Sequence, residues 1–173
     1  NIDSYTWYEN PLELARSKEI DVFIELIGGE DGIALDATQA AIESGKHVIT
    51  ANKAMIANHG NFLIELAEKN KTLLLFEAAV AGGIPIVKLL KESLSSNSIT
   101  KIYGILNGTC NYILTSMENN SIGFDASLKE AQRLGYAEAN SSFDVGGFDA
   151  AHKLSILSSL AFGTAIDFSS IHI

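Results

Sequence analysis

Two opposite charges, Asp149 and Lys153, stand four residues apart behind a double glycine in the segment FDVGGFDAAHKL (residues 143–154). If residues 149–162 are helical, at about 100° per residue, both charges lie on the apolar stripe of that helix. That stripe also holds Ile156, Leu157, Leu160 and Ala161, whereas the opposite face holds Ser155, Ser158 and Ser159. A charge pair on an apolar stripe must be desolvated, hydrogen-bonded or functional. A lysine placed there can stabilise a developing negative charge and donate a proton to it; the alternative is a surface ion pair at a frayed helix start.

The elements that position this pair begin with strands and helices in alternation over the first 80 residues. Apolar runs predict three strands, at residues 21–29, 47–51 and 72–80. Between them, helical patterns cover GIALDATQAAIESGKH, which Gly45 stops, and the later part of MIANHGNFLIELAEKN. This alternation predicts a parallel sheet covered by helices.

The pattern changes after AGGIP, near Gly82 to Pro85. From there it predicts a helix at IVKLLKESLSS, a strand at ITKIYGIL (99–106) and helical stretches near residues 109–118, 125–134 and 148–162. We therefore expect two domains, residues 1–83 and 84–173. A single strand is not stable alone, so ITKIYGIL should pair with strands beyond this segment or from a second subunit.

Composition argues against several classes of protein. The chain has 173 residues, 47% hydrophobic and 19% charged, which is typical of a globular protein in water. Its net charge of -9 argues against nucleic acid or an anionic membrane as a partner. The sequence shows neither a run of 18 apolar residues nor a basic signal region. The single cysteine, Cys110, excludes an internal disulfide and favours a reducing cytoplasm, and we expect it to be buried at a helix start rather than nucleophilic.

The carboxyl ends of the three predicted strands are candidate ligand sites, because ligands of parallel sheets bind there. The first end, LIGG, carries Gly28 and Gly29, which either allow a nucleotide close to the backbone or only form a turn. The other two ends are TANK (50–53) and FEAAVAGGIP (76–85). The G-x-G-x-x-G fingerprint is absent, so either the sheet binds no dinucleotide or the chain begins after the part that carries it.

Four stretches in series resemble one family. TANK, FEAAVAGGIPIV, GILNGTCNYIL and GYAEANSSFDVGGFDAAHKL are similar, in this order, to stretches of homoserine dehydrogenase, and the resemblance covers nearly the whole chain. It implies an α/β fold in which a partial Rossmann-type parallel sheet is followed by an α+β catalytic and dimerisation domain. The family's first strand and glycine-rich turn, and most of its C-terminal catalytic part, have no counterpart here. We therefore expect an internal segment of a longer enzyme.

The resemblance implies a reaction, the reversible reduction of L-aspartate 4-semialdehyde to L-homoserine by NADH or NADPH. Hydride delivery to an aldehyde leaves an alkoxide, which needs a cation and a proton donor. The family's proton donor corresponds to Lys153, and its second lysine, at the nicotinamide end of a strand, corresponds to Lys53. The expected cofactor contacts are Gly28, Gly29, Thr50, Asn52, Lys53 and Gly135.

The resemblance also implies a site for the amino-acid head of the substrate and a site for sodium. The substrate ammonium needs desolvated carboxylates. The corresponding substrate-binding residues are Glu138, Asp149, Asp144, Thr109 and Tyr136, and the double glycine would let acid and lysine converge. The monovalent cation site corresponds to Glu77, Val80, Gly82 and Ile84, whose backbone carbonyls are hard oxygen donors. The four histidines share no spacing typical of a transition-metal site.

Two alternatives to an active homoserine dehydrogenase remain open. The first is a truncated, non-catalytic module for substrate binding or dimerisation. The second is another Rossmann-type reductase for a different aldehyde or keto acid, which would not require Glu138 with Asp149. The choice between NAD and NADP also stays open. The family resemblance implies a homodimer or homotetramer in the cytoplasm, acting on a small molecule with neither nucleic acid nor membrane as partner.

Overall fold

The computed structural model describes residues 5–173, and its first half alternates short strands with helices. Up to residue 81 its elements are α1 (Pro11–Arg16), β1 (Val22–Glu25), α2 (Ile33–Glu43), β2 (His47–Thr50), α3 (Lys53–Asn70), β3 (Leu74–Leu75) and α4 (Ala78–Ala81). The later elements are α5 (Ile86–Lys88), a π-helical turn that continues it (Leu89–Ser93), α6 (Gly108–Asn120), α7 (Phe124–Arg133), α8 (Ser142–Val145), α9 (Phe148–Phe162) and a 3-10 turn (Phe168–Ser170). No helix in this range is long and apolar enough to cross a membrane. The sequence also indicates that the opening segment NIDSYTWYENP contains no strand; residues 1–4 of this segment lie outside the described range.

The three strands form one parallel sheet in the order β1-β2-β3, which confirms the predicted α/β layer. Burial alternates along the strands, because successive side chains point to opposite faces. Phe23 and Val48 are buried on the face that α2 covers, whereas Ile24 is 60% and Ile49 is 39% exposed on the other face. The helices that pack on this sheet therefore cover one side of it.

Several element bounds differ from the predicted ones; β1, predicted over residues 21–29, ends at Glu25. β3 ends at Leu75 rather than at residue 80, because the sequence AAVA that follows is rich in the best helix former and folds as α4. Helix α3 begins at Lys53, well before the predicted later part of its segment. The reason is a cap, since Asn52 Oδ1 accepts a hydrogen bond from the Met55 amide at 3.1 Å.

Helices α1, α4 and α8 have no counterpart among the predicted helices, although the sequence contains the signals of α1. Helix α1 follows Asn10, whose side chain accepts a hydrogen bond from the Leu12 amide at 3.0 Å, and it starts with Pro11. An asparagine cap followed by proline at the first helical position is a recognised start signal. The six-residue length of the helix leaves no periodic pattern that would reveal it.

The strand predicted at ITKIYGIL does not form within the described chain. Residues 98–107 have no regular secondary structure, and residues 99–106 make no backbone-to-backbone hydrogen bond. No strand partner for them is present among residues 5–173, and an unpaired strand lacks the bonds that define it. Ile102 and Leu106 pack against the core, while Tyr103 is 87% and Ile105 is 77% exposed. The second half of the described chain is therefore helical.

The main hydrophobic core joins residues from both halves of the chain. Val48 and Ile56 from the first half share one buried cluster with Val87 and Ile156 from the second half. The location of the domain boundary near Gly82 to Pro85 stays a prediction. A smaller buried cluster, made by Ile113, Ala131 and Ala137, holds α6 and α7 together.

Helix α9 spans Phe148–Phe162, as predicted, and packs against α3. Ile156 and Leu157 are buried, which agrees with the predicted apolar stripe. Ser155 was placed on the opposite face, and this is wrong: it is 2% exposed. Its hydroxyl donates to the backbone carbonyl of His152 at 2.8 Å, and this bond allows a small polar side chain to be buried.

Candidate active site

Helix α9 begins directly after Gly146 and Gly147, and its first turns carry the charge pair. Gly147 has φ +83°, a conformation that other residues rarely adopt. A Cβ atom on Gly146 would lie 2.7 Å from the backbone oxygen of Ser142, so this position also needs glycine. The tight turn that the sequence predicts is thus present, and it packs α8, which contains Asp144, against the start of α9.

Asp149 is a buried carboxylate that three side chains bind at once. Its Oδ2 accepts hydrogen bonds from Lys153 Nζ at 2.8 Å and from Asn107 Nδ2 at 2.9 Å. Its Oδ1 lies 3.1 Å from Lys53 Nζ. Asp149 is only 4% exposed, which excludes the alternative of a surface pair at a frayed helix end. A lysine from each half of the chain therefore meets one carboxylate.

The charges of this cluster follow from its contacts. Burial by itself raises the pKa of Asp149, but hydrogen bonds from Lys153, Asn107 and Lys53 outweigh burial and hold that pKa below its ordinary value. Asp149 is therefore ionised at neutral pH. Lys153 Nζ also donates to the backbone carbonyl of Leu106 at 2.9 Å. An ammonium group has three N–H donors, so one remains for a ligand.

A cleft of about 650 Å³ opens beside this cluster. Five of the predicted catalytic and substrate-binding residues line it: Thr109, Tyr136, Asp144, Asp149 and Lys153. The Thr109 hydroxyl lies 2.7 Å from the backbone oxygen of Tyr136 and 3.3 Å from Asp144 Oδ2. The ring of Tyr136 stacks on Tyr112, with centroids 4.7 Å apart. The cleft thus combines two carboxylates and an ammonium group with an aromatic wall.

Three other residues singled out in the sequence, Glu138, Gly135 and Cys110, have different surroundings from the charge cluster. Glu138 is exposed and does not line the cleft; only its backbone oxygen has a hydrogen-bond partner among residues 5–173. Gly135, expected at the cofactor, lies beside Tyr136 in the larger cleft. The Cys110 thiol donates to the backbone oxygen of Asp144 at 3.3 Å, and burial, followed by the negative charges of Asp144 and Asp149, raises its pKa. Cys110 is half-buried near the start of α6 rather than buried as predicted, and it stays protonated at neutral pH.

The carboxyl ends of β1 and β2 are tied together by a polar network. Glu25 is fully buried, and its Oε1 accepts hydrogen bonds from the amides of Ile27 at 2.7 Å and Gly28 at 3.0 Å. Its Oε2 accepts from the Thr50 hydroxyl, which in turn accepts from the Asn52 amide at 2.9 Å. Asn52 Nδ2 donates to the Gly29 carbonyl at 2.6 Å. These bonds fix the shape of the loop after β1.

This glycine loop lines a second pocket of about 430 Å³. Gly28 and Gly29 have φ values of +85° and +87°, and a Cβ on Gly28 would meet nothing within 4 Å, so glycine is required there by backbone conformation rather than by space. The other residues of the lining are Glu30, Ala51, Asn52, Lys53, Ala54, Phe143 and His152. Lys53 thus belongs to the second pocket and, through Asp149, reaches the first.

His152 forms the far wall of the second pocket and is 3% exposed. Its ring packs between Phe143 and Phe168, at centroid distances of 5.3 and 4.4 Å. Burial lowers the pKa of His152, while the nearby charges of Glu30, Lys53 and Asp149 act in opposing directions. The imidazole is therefore neutral at neutral pH, which suits its apolar neighbours.

The predicted sodium site lies apart from both pockets, at the turn around α4. Both carboxylate oxygens of Glu77 accept backbone amides, those of Val87 and Lys88, each at 2.8 Å. The side chain of Glu77 therefore caps α5. Val80 is buried, Gly82 has φ +59° and Ile84 is 65% exposed. No cluster of three or more histidine, cysteine or acidic residues suited to a metal exists among residues 5–173.

Sequence reasoning missed three residues that build the site: Asn107, Glu25 and His152. Asn107 had a readable signal, because asparagine before GTCNYIL is a typical helix cap. Glu25 had another, since a carboxylate inside the apolar run DVFIELIGG must be satisfied when buried. His152 gave none beyond its place next to Lys153. Each of the three also has a partner far along the chain, Asp149 for Asn107, Thr50 for Glu25 and Phe168 for His152, and only the fold reveals these partners.

A parallel layer with a glycine loop, followed by helices that carry a carboxylate and a lysine, is typical of the nucleotide-dependent α/β enzymes. Two family models match these two parts. Residues 6–77 match "Homoserine dehydrogenase, NAD binding domain", and residues 85–173 match "Homoserine dehydrogenase". The chain therefore belongs to the homoserine dehydrogenase family.

Relatives agree in sequence and in structure. The chain is 51% identical over 170 residues to the homoserine dehydrogenase of Neisseria gonorrhoeae, covering 98% of this chain and 39% of that protein. The crystal structure of the Thiobacillus denitrificans enzyme matches with a TM-score of 0.90 and 51% identity over 92% of this chain and 37% of that one. A hyperthermophilic archaeal homoserine dehydrogenase in complex with NADPH matches at 0.84 and 30% identity, covering 93% of this chain and 50% of that one. The chain spans less than two fifths of the length of the Neisseria relative.

Proposed function

We propose that this chain is a segment of a homoserine dehydrogenase that interconverts L-aspartate 4-semialdehyde and L-homoserine with NADH or NADPH. The observation that carries this proposal is the buried carboxylate of Asp149, bound by Lys153 and Lys53, at the junction of the two pockets. A hydride-transfer site needs a nicotinamide pocket next to a proton donor, and this junction supports both. The family membership of the chain supports the same reaction.

The larger cleft suits the amino-acid part of the substrate. Asp144 and Asp149 line it, and two carboxylates in one cleft favour a cationic ammonium group. Thr109 and Tyr136 complete the polar and aromatic lining. Because Glu138 is exposed outside the cleft, the argument for an amino-acid substrate over another aldehyde or keto acid rests on the two aspartates.

Lys153 is suited to the proton-transfer step. Two of its N–H donors go to Leu106 and Asp149, so the ammonium is held in one orientation with its third donor available to the substrate oxygen. In the direction of reduction, Lys153 donates a proton to the alkoxide that forms on the substrate; in the reverse direction it accepts that proton. Lys53, held by the other oxygen of Asp149, adds positive charge beside the same point.

The smaller pocket fits the nicotinamide cofactor, which when bound exchanges hydride with the substrate carbon. The glycine loop leaves its backbone uncovered at Gly28, and the network through Thr50 and Asn52 holds that loop in place. Lys53 stands at the side of this pocket nearest Asp149. Either NAD or NADP is compatible with these contacts.

The proposal includes a site for a monovalent cation, sodium, at the turn around α4. Because the Glu77 carboxylate caps α5, the cation would be held by backbone carbonyl oxygens at Glu77, Val80, Gly82 and Ile84. The Ile84 carbonyl already accepts a hydrogen bond from the Ile86 amide at 2.8 Å. The chemistry of carbonyl donors fits sodium, and dependence of stability on sodium against lithium or choline would test it.

The assembly, location and pathway belong to the same proposal. The unpaired segment 99–106, with Tyr103 and Ile105 exposed, supports pairing with strands of a longer chain or a second subunit, in a homodimer or homotetramer. Light scattering that finds only monomers of the full-length enzyme would contradict it. We place the enzyme in the cytoplasm and in threonine, methionine and isoleucine biosynthesis, which all draw on homoserine.

The decisive experiment replaces Lys153 with alanine in the full-length enzyme. Loss of a general acid should lower turnover by roughly 10²-fold or more, while cofactor affinity, measured by nucleotide fluorescence, stays nearly unchanged. Exposed Lys129→Ala is the matched control and should retain full activity. Near-normal turnover of Lys153→Ala would indicate that Lys53, rather than Lys153, is the proton donor. Failure of the segment to bind nicotinamide cofactor would favour the non-catalytic module.

A further inference from the structure

Asn107 occupies a position that its helix cap alone does not explain. Its Oδ1 accepts the Cys110 amide at 2.7 Å, which caps α6. Its Nδ2 donates to Asp144 Oδ1 and to Asp149 Oδ2, both at 2.9 Å. Because the cap fixes which end of the amide is the oxygen, the two N–H donors must face the carboxylates.

We propose that Asn107 is a positioning residue, which holds the carboxylates of Asp144 and Asp149 together and thereby sets the affinity of the cleft for the substrate amino group. This inference rests on the proposed function. Among residues 5–173, Asn107 is the side chain that hydrogen-bonds to both carboxylates: the two lysines bind only Asp149, and Thr109 binds only Asp144.

Two neighbouring carboxylates repel each other, and the amide opposes this repulsion. Its two N–H donors are each used on a different acid, so the acids cannot turn away from the cleft without losing a hydrogen bond. Asn107 is 9% exposed, so water has little access to replace it. An ammonium group entering the cleft thus meets two acids that are already oriented, which lowers the entropy lost on binding.

The charged and titratable groups that face Asp149 come from several elements. Lys153 and His152 lie on its own helix, Lys53 on α3, Asp144 on α8 and the Cys110 thiol on α6. Loss of the Asn107 donor should raise the pKa of Asp149, because that donor is one of the contacts that lower it. Substrate binding should then weaken at a higher pH than in the unaltered enzyme.

Three substitutions in the full-length enzyme separate positioning from capping. Asn107→Ser retains a good cap, but its short hydroxyl cannot reach both acids. Asn107→Asp retains both the cap and the shape, but adds a third carboxylate beside two. Asn107→Ala loses cap and contacts. The matched control is Asn10→Ala, which removes the exposed cap of α1.

Positioning predicts that Asn107→Ser raises KM for homoserine about tenfold or more, the scale of a lost charge-assisted hydrogen bond, with kcat within about threefold. Its acidic limb of kcat/KM should move to higher pH, and NMR titration should show a raised pKa for Asp149. Asn107→Asp should be more impaired than Asn107→Ser, increasingly so as pH rises. Asn10→Ala should lower Tm with KM unchanged.

A capping role alone predicts the opposite order. Asn107→Ser and Asn107→Asp would then keep a normal KM and pH profile, and only Asn107→Ala would be impaired, through a lower Tm; that result would overturn the inference. An unaltered enzyme that does not oxidise homoserine would instead refute the proposed function. The two failures are therefore distinguishable.

Discussion

The pairing of Asp149 with Lys153 should contribute measurably to stability, although many ion pairs four residues apart do not. Their atoms are 2.8 Å apart, and their side chains are only 6% and 18% exposed. Breaking a buried pair by removing one partner costs about 3–5 kcal/mol, because the other charge is left unpaired. In Asp149→Ala the freed lysines retain some access to water, so we expect the low end, about 3 kcal/mol.

Lys153→Met should cost less. The carboxylate keeps its contacts with Lys53 and Asn107, so the loss is one charge-assisted hydrogen bond, about 2 kcal/mol. A double-mutant cycle by urea unfolding at pH 7 should then give a coupling energy of about 1.5 kcal/mol between Asp149 and Lys153. In a chain of this size, Asp149→Ala should lower Tm by about 6–12 °C.

The same coupling should depend on pH in one direction. The pKa of Asp149 is lower in the folded chain than in the unfolded chain, so its contribution to stability is complete above the unfolded value, about 3.9. It is lost as pH falls through the folded pKa, where the carboxylate becomes protonated. Additive effects of the two substitutions at pH 7, within about 0.3 kcal/mol, would refute this reasoning and show that the buried pair adds no coupling energy.

Two further predictions concern the ends of the strands. Gly28→Ala should destabilise the chain by about 1–2 kcal/mol, because φ is +85° there, and should weaken nicotinamide binding measured by fluorescence; an unchanged Tm would mean that the loop relaxes without strain. Glu77→Ala should lower the free energy of unfolding in urea by about 1–2 kcal/mol, because two amides of α5 lose their acceptor. The exposed control Glu9→Ala should leave the free energy of unfolding unchanged. Equal free energies of unfolding for the two variants would show that water replaces the cap.

The sequence predicts the parallel layer well because its signals are local. The apolar runs at β1 and β2 end in glycine or a helix cap, and the period of the helices is readable. A predicted bound was wrong where a local helix preference ended the strand early: AAVA formed helix α4 directly after β3. The strand predicted at ITKIYGIL does not form within residues 5–173, because a strand depends on a partner and no partner lies in this range; its pairing beyond this range stays a prediction.

The candidate site was predictable only in part, for a related reason. Asp149 and Lys153 are visible because their spacing places charge on an apolar stripe. The third contact of this cluster, from Asn107, spans 42 residues along the chain, and no local pattern reveals it. Glu138 shows the converse, since a family motif assigned it to the substrate whereas this structure leaves it exposed outside the cleft.

Lys53 connects the two pockets both by its position at the start of α3 and by its ion pair with Asp149. It is the first residue of α3, directly after Asn52, which caps that helix and donates to the Gly29 carbonyl of the glycine loop. Its ammonium group holds Asp149, the acid that binds Lys153. A displacement of the glycine loop would therefore also displace the start of α3 and, through Lys53 and Asp149, the proposed proton donor Lys153. Under the proposed function, the same few residues would set both the position of the nicotinamide and the position of the transferred proton.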